Sequence, residues 1–298
     1  MEALTVTGAA SARAGHTTRI LAALTLLLMA AFAQAAEPPR FARVEWVEGT
    51  VTILDAKGGS RAAKVGGDIL PGETIRSAKG SEMHVRTEDA GFIAFRQESE
   101  VRIDAYVATG SKDDQIALAL LKGALRSITG WLARSDPARY RIRTPTATVG
   151  VRGTDHEPAY VPPADTGGAA PPAPPGTYDK VNAGSTVITN AAGSVSIAAN
   201  QTGHAAHDGK LAPRLLEHTP PIFRPGNNES RIEARKMELA REIETRLRER
   251  AQDGKDLPDA DKLKDLREKL DKADKADKVD PAEVRRKAAE RRKRAGER

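Results

Sequence analysis

The chain contains no cysteine. That excludes a disulfide scaffold, a thiolate-bound zinc, a thiol nucleophile and a lipid anchor on cysteine. Aromatic side chains are scarce, at 4% of 298 residues, and none follows Phe223. A large aromatic-packed core is therefore excluded. Long apolar runs are missing as well. The stretch from Ile20 to Phe32 has 13 residues, where a membrane-spanning helix needs about 20.

That short run has the form of a secretory signal. Arg13, His16 and Arg19 precede it, and Ala33-Gln34-Ala35 supplies a small-x-small cleavage pattern after it. The expected signal covers residues 1–35, which places the mature chain in the periplasm or outside the cell. Export suits a chain without thiols, because nothing can mispair in an oxidising space.

Charge is abundant but uneven. The net charge is +6, and Arg285 to Arg298 hold eight basic and two acidic residues. The rest of the chain is formally neutral. Arg285, Arg286, Lys287, Arg291, Arg292, Lys293 and Arg294 form this basic cluster, which is expected to meet an anionic envelope surface. No aromatic stacking residue accompanies it, so no nucleic-acid partner is expected.

Residues 41–206 read as short strands and turns. Val44 to Val47 and Thr50 to Leu54 are β-branched and aromatic, with Gly49 as a bend between them. His84 to Thr87 and Phe92 to Phe95 form a hairpin around Glu88-Asp89-Ala90-Gly91. Val101 to Val107 alternates, with Val, Ile, Ala and Val on one face and Arg, Asp and Tyr on the other. Gln115 to Leu121 fits strand or helix, and the nearby Gly123 and Gly130 favour strand. Arg139 to Arg143 alternates again. No period of 3.6 persists, so the expected class is all-β.

Several blocks resemble the FecR domain family, in its order. They are Val44 to Leu54, Leu70 to Ile75, Asp89 to Phe95, Glu98 to Ile103, Leu121 to Arg126, Thr144 to Thr154 and Val187 to Ala206. The most specific is Thr144-Pro145-Thr146-Ala147-Thr148-Val149-Gly150-Val151-Arg152-Gly153-Thr154. The resemblance implies a periplasmic stack of short strands, β-solenoid-like or sandwich-like. It also implies relay of iron-uptake signals in members that carry a cytoplasmic anti-sigma segment before a membrane span. Only 19 residues precede the apolar run here, so the exported, stand-alone type is expected.

Within the strongest block, Pro145 sets a bend, while Gly150 and Gly153 permit close backbone approach. Val151 and Thr154 complete the strand. Arg152 is expected to clamp turn carbonyls, with an anion or partner contact as the functional alternative. The Pro-rich stretch 158–177 reads as an extended surface insertion, with an arm that offers Tyr160 and Tyr178 to a partner as the functional alternative.

Residues 207–226 read as a linker along the β body, and 227–298 as a charged, helical or partly disordered tail. Ser230 and Glu233 suggest a capping box. Ile232, Leu239, Ile243 and Leu247 make a narrow apolar stripe, too short for a coiled coil. Further helices are expected from Pro258 and from Asp280-Pro281.

Catalytic signatures are missing. Asp155-His156-Glu157 would point to opposite strand faces, and His204 with His207 is a weak metal pair. The expected protein is non-enzymatic, needs no cofactor or metal, and binds or senses an unidentified periplasmic or outer-membrane protein or glycan. Alternatives are an envelope protein tethered by the basic end and a regulator of iron-uptake signalling.

Overall fold

A computed structural model describes residues 39–109, 113–135, 139–164, 171–223 and 225–252. The expected signal (1–35), the helices expected after Gly254 and the basic cluster Arg285 to Arg298 lie outside these residues.

The described chain forms one continuous sheet of 15 strands. In order they are β1 (Ala42–Glu48), β2 (Val51–Leu54), β3 (Ser60–Ala62), β4 (Asp68–Ile69), β5 (Thr74–Ser77), β6 (Glu82–Thr87), β7 (Phe92–Phe95), β8 (Glu100–Val107), β9 (Gln115–Ile128), β10 (Tyr140–Arg143), β11 (Thr148–Val161), β12 (Gly176–Asn190), β13 (Gly193–Ala198), β14 (Thr202–Ala206) and β15 (Arg214–Leu216). One helix, Glu229–Gln252, follows. The all-β expectation with a helical C-terminal segment holds, and of its two variants the sandwich-like one is realised.

Three long strands create the sandwich. The first half of β9 pairs with β8 and β10, and its second half with β7 and β11. β12 pairs with β13 at one end and β14 at the other. Each long strand therefore serves two layers, and the layers enclose a shared core. Ile53, Ile75, Ile103, Leu118 and Ile142 enter it from one layer, and Val44, Val85, Ile93 and Phe95 from the other.

The bends that allow this are glycine-dependent. β11 and β12 bend together where Gly153 (φ 58°) lies against Gly184 (φ 81°). A Cβ at Gly184 would sit 2.5 Å from the Gly153 carbonyl oxygen. The β11–β12 register shifts here, between Arg152 and Asp155. The family-like Gly-x-x-Gly thus splits into two roles. Gly153 is required by the corner, whereas a Cβ at Gly150 would make only ordinary contact, 3.8 Å from Val187.

Three expectations need correction. Tyr106 is buried rather than on the wet face of β8, because the register shifts between Ile103 and Ala105 and exchanges the faces beyond it. Its ring meets Phe41 edge-on at 5.2 Å. The insertion is shorter than 158–177: Ala159↔Tyr178 and Val161↔Gly176 are paired, so the strands run on through Val161 and resume at Gly176. The 207–226 linker contains a strand, β15, which extends the sheet beyond residue 206 through Gly203↔Leu215.

Candidate functional site

The helix lies on the sheet instead of in solvent. Ile232 and Leu239 pack with Phe92, Ala94 and Ile128, and Ile243 joins the main core. The stripe seen in sequence is thus used against β7 and β9. The helix starts at Glu229, with the Asn228 carbonyl accepting from Ile232 at 3.2 Å. The expected Ser230/Glu233 capping box is not formed, because Glu233 turns to Arg126 on the sheet.

Arg126, on β9, centres a buried charge network. Its fork donates to both carboxylate oxygens of Asp155 on β11, at 2.8 and 2.7 Å. It also donates to Glu233 at 2.6 Å and to Glu229. Lys236 adds a bond to Asp155 at 2.5 Å. Burial alone would push the Asp155 carboxyl up, but Arg126 and Lys236 outweigh it and hold it well below the usual carboxylate range. Burial likewise opposes the charge on Arg126, and the carboxylates win, raising it further above its ordinary value.

Next to this centre, Arg96 contacts Glu82 (3.2 Å), Glu157 (3.6 Å) and Glu229 (2.9 Å). Glu157 also accepts from Lys180 at 2.7 Å. Burial raises Glu82, but the bond to His84 and the charge of Arg96 bring it below its ordinary value. Asp155 and Glu157 face the helix side, as alternation requires. His156 faces inward, 2.9 Å from Asp179, with both side chains fully buried.

Arg96 and Glu157 also line a groove of about 970 Å³. Pro162, Pro163, Pro171, Pro172, Pro221 and Pro225 form part of its wall. Gln97, Glu98, Lys122, Gly123, Ala124 and Ala159 line it as well. The volume is at the upper end of ligand cavities, roughly 300–1,000 Å³. Proline has no backbone N–H, so this wall offers apolar rings and carbonyl acceptors but few donors.

The expected site residues fare differently. Tyr160 lines the groove, but its ring is 4% exposed and its hydroxyl lies 3.1 Å from His207 Nδ1. Tyr178 is not offered to any partner. It is buried, stacks on His204 at 4.2 Å and donates to the Pro174 carbonyl at 2.5 Å, bracing the arm from below. The Thr144-Pro145 turn docks on β12, where the Thr144 and Thr146 hydroxyls lie 2.5 and 2.7 Å from that of Thr177. Val151 is core, and the Thr154 N–H donates to Thr129 at 2.8 Å.

Arg152 does not clamp a turn. Its side chain is exposed, on the face opposite Val149 and Val151, and no described residue bonds to it. Gly153 makes the corner by its own φ, so no guanidinium is needed there. Sequence reading passed over Arg126 and Arg96 as site residues. A signal for Arg126 existed, as an arginine inside an otherwise apolar strand, QIALALLKGALRSI. Nothing local marks Arg96. Among the described residues no group of three or more His, Asp or Glu could hold a metal, and none of their helices is long and apolar enough to cross a membrane.

The described residues thus form a bent all-β sheet with one helix packed on it and an open groove beside the helix. The family model described as "FecR protein" matches residues 73–163. The resemblance read from the motifs holds there, and that stretch carries the Arg126–Asp155 pair and the first groove prolines. Among solved structures, a cell surface anchoring domain matches at 22% identity over 21% of this chain and 83% of its own, with a TM-score of 0.21. A candidate anti-sigma factor from Parabacteroides distasonis matches at 12% identity over 49% of this chain, with a TM-score of 0.38. A second structure of that description matches at 14% identity and a TM-score of 0.37. The chain spans 60% of the length of both. No curated protein matches.

Proposed function

We propose that this is an exported, non-enzymatic FecR-type sensing module whose groove holds an extended segment of a periplasmic or outer-membrane protein. The observation that carries the reading is a groove lined by six prolines together with charged and small residues. Such a lining recognises a chain that brings its own N–H donors and apolar side chains, which an extended peptide does. The match over residues 73–163 supports a regulatory rather than a catalytic role, and the sequence of residues 1–35 supports export.

The test places a photo-crosslinking amino acid at Lys122, which lines the groove, and at Lys64, which is exposed on the β3–β4 connection. After irradiation of intact cells, a protein adduct at 122 and none at 64 is expected, with the mature N-terminus near Ala36. Equal labelling at both positions, or recovery of the uncleaved chain from the cytosol, overturns the proposal. Tethering by Arg285 to Arg298 is a separate reading that rests on sequence alone. Deleting residues 285–298 without loss of envelope association removes it.

A further inference from the structure

The groove and the helix occupy one layer of the sandwich, and no described element covers the outer face of the other layer. Arg141 and Arg143 on β10 and Arg152 on β11 all point out from it and are exposed. Arg141 is in register with Gly150 and Arg143 with Thr148, so Arg152 lies one diagonal step from Arg141. That step is roughly 7–8 Å between neighbouring strands. Arg141 and Arg143 are two residues apart on one strand, about 6.6 Å.

Three features make this cluster unusual. First, none of the three arginines has a hydrogen-bond or ion-pair partner among the described residues, although most of the other arginines with described side chains are paired. The acids on the same layer are already engaged: Glu100 with Arg76 at 2.8 Å and Asp104 with Arg102 at 2.6 Å. Second, the side chains beside them are small. Arg141 and Arg143 flank Ala117 and Ala119 of β9 on one side and Gly150 and Thr148 on the other. Nothing bulky stands between the guanidinium groups. Third, the adjoining rows, Ser185, Val187 and Thr189 on β12 and Ser194 and Ser196 on β13, carry hydroxyls around one exposed valine and no aromatic ring.

We infer that this face binds an anionic polysaccharide, with Arg141, Arg143 and Arg152 taking acidic groups along the polymer. Charge complementarity selects a polyanion, and a guanidinium fork suits a carboxylate bidentately. The flat bed accepts a sugar chain, and the serine and threonine rows match its hydroxyls. A single-stranded nucleic acid offers similar charge spacing, but its binding sites combine charge with stacking rings, which this face lacks. The inference is independent of the groove, since the residues lie on the other layer.

The experiment uses the full chain, so the basic C-terminal cluster is present throughout. Binding to polygalacturonate, neutral dextran and oligo(dT) is measured at low and high salt. The comparison is wild type, R141Q/R143Q/R152Q and a charge-matched control, K57Q/K64Q/K79Q. Affinity for polygalacturonate is expected to fall at least about tenfold in the arginine variant and less than about threefold in the control, with the difference shrinking as salt rises. Dextran should not bind. Arg143→Glu alone should reproduce most of the loss at an unchanged melting temperature, which guards against misfolding of the triple variant. Equal losses in both triple variants, no wild-type binding, or tighter binding of oligo(dT) would each overturn the inference.

Discussion

Replacing Arg126 with methionine is the most direct test of how the helix is held. Its side chain is 3% exposed and bonds Asp155, Glu229 and Glu233. Methionine keeps the stem and removes the charge. Asp155, itself 3% exposed, would keep only Lys236 and Asn182. Breaking a buried pair by removing one partner costs about 3–5 kcal/mol when the other charge is left uncompensated, and the remaining bond from Lys236 holds the loss toward the lower end of that range. Total stability of a domain is about 5–15 kcal/mol, so R126M is expected to remain folded with a small margin. Urea denaturation at pH 7 measures the loss, and hydrogen exchange over residues 229–252 locates it. R126M/D155L removes the orphaned carboxylate and should recover at least half of the loss. Glu233→Gln severs a bond to the same guanidinium from a side chain that is 53% exposed, and it should cost no more than about 1 kcal/mol. A cost below about 1 kcal/mol for R126M, or a double variant no better than the single, would refute the reasoning.

Three further outcomes follow from the same structure. Asp155 and Glu82 are held below their ordinary values, so their contribution is complete above the unfolded carboxyl value and is lost as pH falls below about 4. Melting temperature should therefore drop steeply in acid for wild type and less steeply for Asp155→Asn; equal slopes would exclude this pair as the cause. Gly184→Ala combines a positive φ with a clash against the Gly153 carbonyl and should cost about 1–3 kcal/mol, whereas Gly150→Ala should stay within about 0.5 kcal/mol by thermal melting. Tyr178→Phe removes the donor to the Pro174 carbonyl and should cost about 0.5–1.5 kcal/mol. Its readout is faster proteolytic cutting between residues 162 and 175, and unchanged cutting would mean that the ring alone braces the arm.

Local periodicity makes the strands readable in the sequence, and it also sets the limit. Alternation located β8 and β10, and the Asp89-Ala90-Gly91 turn located the β6–β7 hairpin. The corners are not readable locally, because they depend on distant residues meeting: Gly153 against Gly184 where β11 and β12 bend, and Gly123 of β9 against Ser99. The same gap produced the error at Tyr106, where one extra residue in β8 reverses the faces. Phe92-Ile93-Ala94-Phe95 is apolar at every position, which marks a strand covered on both sides, yet nothing local says by what. The cover is a helix that begins 134 residues after Phe95. Arg152 departs from its expected clamp role for a related reason: the neighbouring Gly153 makes the bend through its own backbone.

The charges beneath the helix also explain why it docks in one register. Its apolar stripe is only Ile232, Leu239 and Ile243 among the described side chains, which alone specifies position weakly. A slip of one turn toward the N-terminus would put Asn228 and Arg235 where Ile232 and Leu239 now pack, and apolar burial forbids that. The opposite slip is less costly, since Ile243 and Leu247 would replace Leu239 and Ile243. It would, however, put Lys236 among Phe92, Ala94 and Ile128 and turn Met237 toward Arg126 in place of Glu233. It would also break the pairing of Arg235 with Glu45 at 2.7 Å. Buried ion pairs contribute little net stability but penalise every arrangement that leaves one charge alone. The sheet therefore selects the register through Arg126, Arg96 and Glu45, and the apolar stripe supplies the adhesion.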